Sequence, residues 1–247
     1  MLSDSPQGIG RILDDGVRLY LRSFLRMLPI ISIIAVAGLV GYLASIVLVQ
    51  SGRDGLGIAS NLLPGLIGIY GYTMMVFVVW GVANDDPYTT REALGATLPC
   101  YLPVLGYFLC YTLAVAGGVL LLLVPGVILM ITLVLGNYLI VLDGDGVFDA
   151  LRKSHALVWG NWWRSSIIIT IAGMLFTGVY LVIGILAGAV GTILGAEMID
   201  LIRLTTMMSV LLGPLVQPLL ICVGLALMHD LRMRREGEDL EDAIDNL

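Results

Sequence analysis

The acidic residues best placed to form a site are Asp143, Asp145 and Asp149, set around Gly144 and Gly146. A calcium loop of the EF-hand kind needs oxygen ligands at its first, third, fifth and twelfth positions. Counted from Asp143, these are Asp143, Asp145, Val147 and Ser154, so the stretch reads as a turn that opens a helix. His155 and His229 have no carboxylate or second histidine three or four residues on, as a metal site on a helix would want. Ser154 beside His155 is no nucleophile–base pair, because adjacent helical residues point apart. Cys100, Cys110 and Cys222 fall in apolar stretches and read as free, buried thiols, without disulfide framework or metal spacing. No catalytic set, metal or other cofactor is expected.

What surrounds these residues is written for lipid. Hydrophobic residues are 58% of 247 and charged ones 13%, against about 25% charged in a soluble domain, and the mean hydropathy is +0.96. The net charge of −6 reflects a tail rich in Glu and Asp (Glu236, Glu238, Asp239, Glu241, Asp242, Asp245) more than an acidic surface. With no basic stripe beyond short membrane flanks, nucleic acid is not an expected partner.

Six spans are expected, over 28–49, 56–83, 101–123, 125–142, 167–190 and 207–228. Residues 28–49 carry no charge and as a helix would reach about 33 Å, enough for a hydrocarbon core of about 30 Å. This first run has no small-residue cleavage site and reads as a retained span. The uncharged run 101–142 would be about 63 Å long as one helix, so it must double back. Val124-Pro125-Gly126 supplies the break, with Pro125 in the first turn of the next helix.

Three amphipathic stretches precede pairs of spans. In the first, within 1–27, Ile9, Ile12, Leu13, Leu19, Tyr20 and Phe24 form one apolar stripe opposite Arg11, Asp14, Asp15, Arg18 and Arg22. Residues 89–103 and 147–163 are the others, which gives an arrangement of three units, each a surface helix plus a hairpin. Eleven of the thirteen Lys and Arg residues fall on one side of this layout and only Arg53 and Arg203 on the other. The positive-inside rule then puts both termini in the cytoplasm, with 229–247 as a basic, then acidic, tail.

Two groups of residues stand out. Trp159, Trp162 and Trp163 adjoin Arg164 at the expected cytoplasmic boundary, where aromatic anchoring accounts for them. With Arg152 and Lys153 they are candidates for a lipid-headgroup site, although Asp149 is spaced to pair with Lys153. Gly184, Gly188, Gly191 and Gly195 recur at helical spacing and suit close helix packing, within one chain or across a homodimer. None of the six spans contains Asp, Glu, Lys, Arg or His, residues that ion-coupled transporters usually carry at mid-membrane. Asn61, Thr73, Asn137 and Gln217 are the polar residues left, and Pro64-Gly65 with Pro214 and Pro218 keep open a site built on broken helices.

The VPGVI turn at 124–128, Asp143 at the end of a span and ALRKSHALVWGNWW at 150–163 resemble the YciC-like inner-membrane proteins of Gram-negative bacteria. They also resemble the related glycerophosphoryl diester phosphodiesterase membrane-domain family, and REALGATLPCYLPVL at 91–105 looks like its YciC-like counterpart. The resemblance implies a polytopic plasma-membrane protein and brings no catalytic residues. The soluble domain that carries phosphodiesterase activity has no counterpart here. The expectation is an all-α, six-span protein of the bacterial inner membrane. Its role is non-enzymatic, in membrane or envelope homeostasis, through contacts with lipids, other membrane proteins or a second copy of itself. The alternative is a carrier for an apolar or neutral solute.

Overall fold

The computed structural model describes residues 7–195 and 197–245, with side chains as far as residue 237. The acidic tail residues Glu238, Asp239, Glu241, Asp242 and Asp245 therefore lie outside the described side chains. Nine helices follow in order among the described residues: α1 Ile9–Gln50, α2 Asp54–Ala59, α3 Leu62–Ala83, α4 Thr90–Leu121, α5 Leu123–Thr132, α6 Gly136–Asp143, α7 Val147–Trp159, α8 Trp162–Ile193 and α9 Met198–Asp245. No strand occurs among them. Six stretches are long and apolar enough to cross a membrane: α1, α2 with α3, α4, α5 with α6, α8, and α9 as far as Gly237. The protein is an all-α polytopic membrane protein.

Consecutive spans pack as pairs, α1 with α3, α4 with α5 and α8 with α9, and α9 also closes against α1. The interior is carried by α3, α6 and α9, where Met75, Val79, Ile140, Leu225 and Leu227 are fully buried. A phenol inside lipid needs a partner within the protein, and several of the tyrosines find one on a neighbouring helix. Tyr70 donates to the Leu94 carbonyl at 2.7 Å and Tyr101 to that of Leu66 at 2.9 Å, a reciprocal tie between α3 and α4. Tyr20 donates to the Leu215 carbonyl at 2.9 Å, tying α1 to α9 beside the Pro214 and Pro218 interruptions.

Helix α1 runs unbroken for 42 residues through Pro29, so the boundary at 27–28 is a change of composition with no break in the backbone. Its buried residues Ile12, Gly16, Leu19, Ser23, Met27 and Ile30 recur at steps of three and four. The apolar stripe of the expected surface helix thus packs into the protein, with Gly16 against Val223 of α9, while Leu21 and Leu25 are exposed. Helix α4 also passes through Pro99 and Pro103 without a break. Its start is fixed by a capping box, in which Thr89 Oγ1 accepts from the Glu92 N–H at 3.3 Å and Glu92 Oε2 from the Thr89 N–H at 2.8 Å.

The long uncharged run doubles back at Leu122, the one extended residue between α4 and α5 (φ −164, ψ 146). Pro125 is the third residue of α5, inside the first turn, where its missing N–H removes no helical bond. A Cβ on Gly118 would stand 2.8 Å from the Gly126 Cα, so the two glycines allow the tight return. The fourth span has a second interruption that the sequence did not announce, between Thr132 and Gly136. There the Thr132 carbonyl accepts from Ser154 Oγ at 2.8 Å and the Leu133 carbonyl from the Tyr107 hydroxyl. A Cβ on Gly136 would stand 2.5 Å from the Tyr107 ring, which needs that space.

Candidate functional site

One end of the bundle gathers the charges. Asp230, 3% exposed, accepts through Oδ2 from Arg164 Nε at 3.2 Å and Arg234 Nε at 2.9 Å. Its Oδ1 accepts from the Gln7 N–H at 2.7 Å, and both arginines also donate to the Gln7 carbonyl. The start of α8, the end of the apolar part of α9 and the segment before α1 are thereby tied together. Beside them, the 143–146 loop is held by two further pairs, Arg232 with Asp143 and Lys153 with Asp145. Gly144 closes α6 in the left-handed region at φ 71.

These contacts divide the expected headgroup cluster. Lys153 pairs with Asp145 and not with Asp149, because the loop folds back over the first turns of α7; that hydrogen bond raises the Lys153 pKa above the usual lysine value. Arg164 is engaged by Asp230, and Arg152 is exposed on α7. Trp159, Trp162, Trp163 and Arg164 do meet, around a surface pocket of about 500 Å³ that also touches Ile128. Trp163 is 76% and Trp159 57% exposed, whereas Trp162 is partly buried with its indole N–H unpartnered. Arg152 and Lys153 do not line this pocket.

The glycine row on α8 divides too. Gly191 is buried, in line with Ile183 and Ala187, and a Cβ on Gly184 would be in ordinary contact with Thr205 at 3.9 Å. A Cβ on Gly188 would meet nothing within 4 Å, and Gly195 lies past the helix in the left-handed region at φ 69. The tight contacts of α9 fall elsewhere, at Gly213 against the Tyr180 hydroxyl and Gly224 against that of Tyr138.

A chamber of about 1340 Å³ lies among the helices, and all six spans contribute to it. Its walls include Ile34 and Gly38 of α1, Pro64 and Tyr72 of α3, Tyr111 of α4, Met130 of α5, Thr177 of α8 and Gln217 of α9. No Asp, Glu, Lys, Arg or His lines it. Among its lining residues Met130, Met174 and Leu181 are exposed, so the chamber is only partly enclosed on the side of α5 and α8. A recess of about 370 Å³ lined by Asn137 shares Gly65, Tyr72, Tyr111, Val134 and Gln217 with it. Of the residues that sequence reasoning marked for such a site, Asn61, Pro64, Gly65, Pro214 and Gln217 line the chamber and Asn137 lines the recess, whereas Thr73 and Pro218 line neither. It missed the tyrosines, and it missed Asp230, whose i,i+4 spacing to Arg234 was readable.

Six apolar spans, an ion-paired end and a chamber lined without charge define a polytopic α-helical membrane protein with no recognisable catalytic centre among its described residues. More particularly, the chain belongs to an uncharacterised protein family, UPF0259, whose model matches residues 57–212. It is 33% identical over 104 residues to a UPF0259 membrane protein of the bacterium Pectobacterium carotovorum, and 29% identical over 104 residues to one of Sodalis glossinidius. Each match covers 42% of this chain and 42% of the relative, so well under half the length of these curated relatives is matched. No solved structure matches the chain.

Proposed function

We propose that this protein is a non-enzymatic component of the bacterial inner membrane that takes a lipid-class molecule from the bilayer into the chamber between its helices. Both termini are cytoplasmic in this reading, and the role belongs to membrane or envelope homeostasis, in keeping with the YciC-like resemblance. The observation that carries it is the chamber, which is large, lined without charge and only partly enclosed; in this reading its open side, at the exposed Met130 of α5 and Met174 and Leu181 of α8, faces lipid. Binding pockets commonly measure about 300–1,000 Å³, are mostly apolar and hold a few polar groups. The chamber exceeds that range and has room for an acyl or isoprenoid chain. The tryptophans at 159, 162 and 163 then anchor the mouth of the bundle at headgroup level.

The test is lipid analysis of the purified full chain. A Cβ on Gly173, in the chamber wall, meets nothing within 4 Å, so Gly173→Phe places a ring in the cavity without striking backbone. Wild-type protein should retain a defined lipid through gentle purification and the variant should lose it. Equal lipid content in both, from equally well-folded protein, would refute the reading.

A second reading, a carrier for an apolar or neutral solute, is favoured by one observation. Pro64, Pro214 and Gln217 come together in the same chamber, and broken helices are where transporters build their sites. Solute flux in reconstituted vesicles, lost on changing Asn61 or Gln217, would move the assignment to a carrier.

A further inference from the structure

We infer that the recess at Asn137 is the polar end of the chamber and selects a lipid with an uncharged head that presents hydroxyl or carbonyl oxygens. This rests on the chamber's being a lipid site. Asn137 sits on α6, just past the interruption in the fourth span, and is 2% exposed. Its Nδ2 has two N–H groups to place; neither meets an acceptor in good hydrogen-bond geometry, and the side chain interacts with the Tyr72 phenol. A buried amide whose donors are left under-satisfied is costly, and a leucine would fill this volume without that cost. Asn137 lines a recess of about 370 Å³ that shares Tyr72, Tyr111 and Gln217 with the chamber. Gln217, the second primary amide on this wall, has both donor and acceptor to offer.

The chemistry of the ligand follows from what the walls provide. Asn137 and Gln217 donate to oxygen, while the hydroxyls of Tyr107 and Tyr111 already donate to the carbonyls of Leu133 and Met130. No cation lines either space to neutralise a phosphate, and no anion to receive an ammonium. A charged head brought here would lose its hydration without compensation. A glycerol or quinone-like head, accepting from the two amides with its chain in the larger chamber, meets both conditions.

Two photoreactive probes with identical acyl chains, one a diacylglycerol and one a phosphatidylglycerol, distinguish the possibilities on full-length protein in phospholipid nanodiscs. Wild-type protein should be labelled at least about fivefold more by the diacylglycerol probe, on peptides of α3, α6 and α9. Asn137→Leu and Gln217→Leu should each lower that labelling about tenfold, the effect of one lost hydrogen bond to a buried group, and leave the phosphatidylglycerol signal unchanged. Gln217→Leu carries the test alone if Asn137→Leu does not fold. Equal labelling by both probes, insensitive to both variants but abolished by Gly173→Phe, overturns the selective recess and leaves the chamber standing. Labelling that Gly173→Phe does not reduce removes the chamber and, with it, this inference.

Discussion

Arg164 and Asp230, 66 residues apart in the chain, meet at 3.2 Å where α8 begins and the apolar part of α9 ends. The carboxylate is 2% exposed and the guanidinium 19%, so water does little to screen the pair. Burying such a pair gains little net free energy, but removing one partner strands the other. Here the loss of Asp230 would strand two arginines and the Gln7 N–H together.

Asp230→Ala should therefore destabilise the protein by about 3–5 kcal/mol. Asp230→Asn, which keeps an acceptor for Gln7, should fall between it and wild type. Thermal unfolding in detergent measures this. Wild-type melting in both variants would show that the cluster holds nothing together.

The interruption in the fourth span depends on two side chains from other helices. Tyr107→Phe and Ser154→Ala each leave a buried carbonyl unsatisfied, at a cost of about 1–3 kcal/mol apiece. Hydrogen exchange should rise at 133–137 in both. Unchanged protection there would mean that the carbonyls of Thr132 and Leu133 do not need these partners.

Close contact between α1 and α9 requires Gly16, whose added Cβ would stand 2.7 Å from Val223 Cγ2 and 3.0 Å from its Cα. Gly16→Val should cost about 1–3 kcal/mol through overpacking, while Gly188→Val, with open space at its Cβ, should leave the stability of the single chain unchanged. Measuring both by unfolding and by oligomeric state settles the use of the α8 row. If Gly188→Val alters oligomeric state alone, that face is a seam between copies.

Orientation is open to direct measurement. Cysteines placed at Phe148 or Trp163 in a background free of native thiols should react with a membrane-impermeant reagent only after the cells are opened, and one at Arg53 should react in intact cells. The reverse pattern would contradict the cytoplasmic assignment of both termini.

The sequence disclosed the fold where a local property was enough. Uncharged runs of span length, Pro125 within the run 101–142, and arginines between the apolar blocks placed the six spans without any knowledge of contacts. It was less informative where one residue's role depends on a distant one. The interruption at 133–135 has no proline and no polar residue; it exists because Tyr107 and Ser154 take up the freed carbonyls. Regular spacing drew attention to Gly184, Gly188, Gly191 and Gly195, yet the tightest glycine contacts of α9 are at Gly213 and Gly224, which belong to no such row. Arg164 read as a candidate for a headgroup, and its pairing with Asp230 was not visible because the two lie 66 residues apart. Asn137 and Gln217 were visible as polar residues in apolar spans, but only the packing of α3, α6 and α9 brings them to one recess.

A cryo-electron microscopy structure of the full chain in a nanodisc of native lipid tests the central claim most directly. Elongated density that enters between α5 and α8 and ends beside Asn137 and Gln217 is the predicted result. A bundle in which α8 closes on α5 and side chains fill the space among Tyr72, Met130 and Thr177 would contradict it.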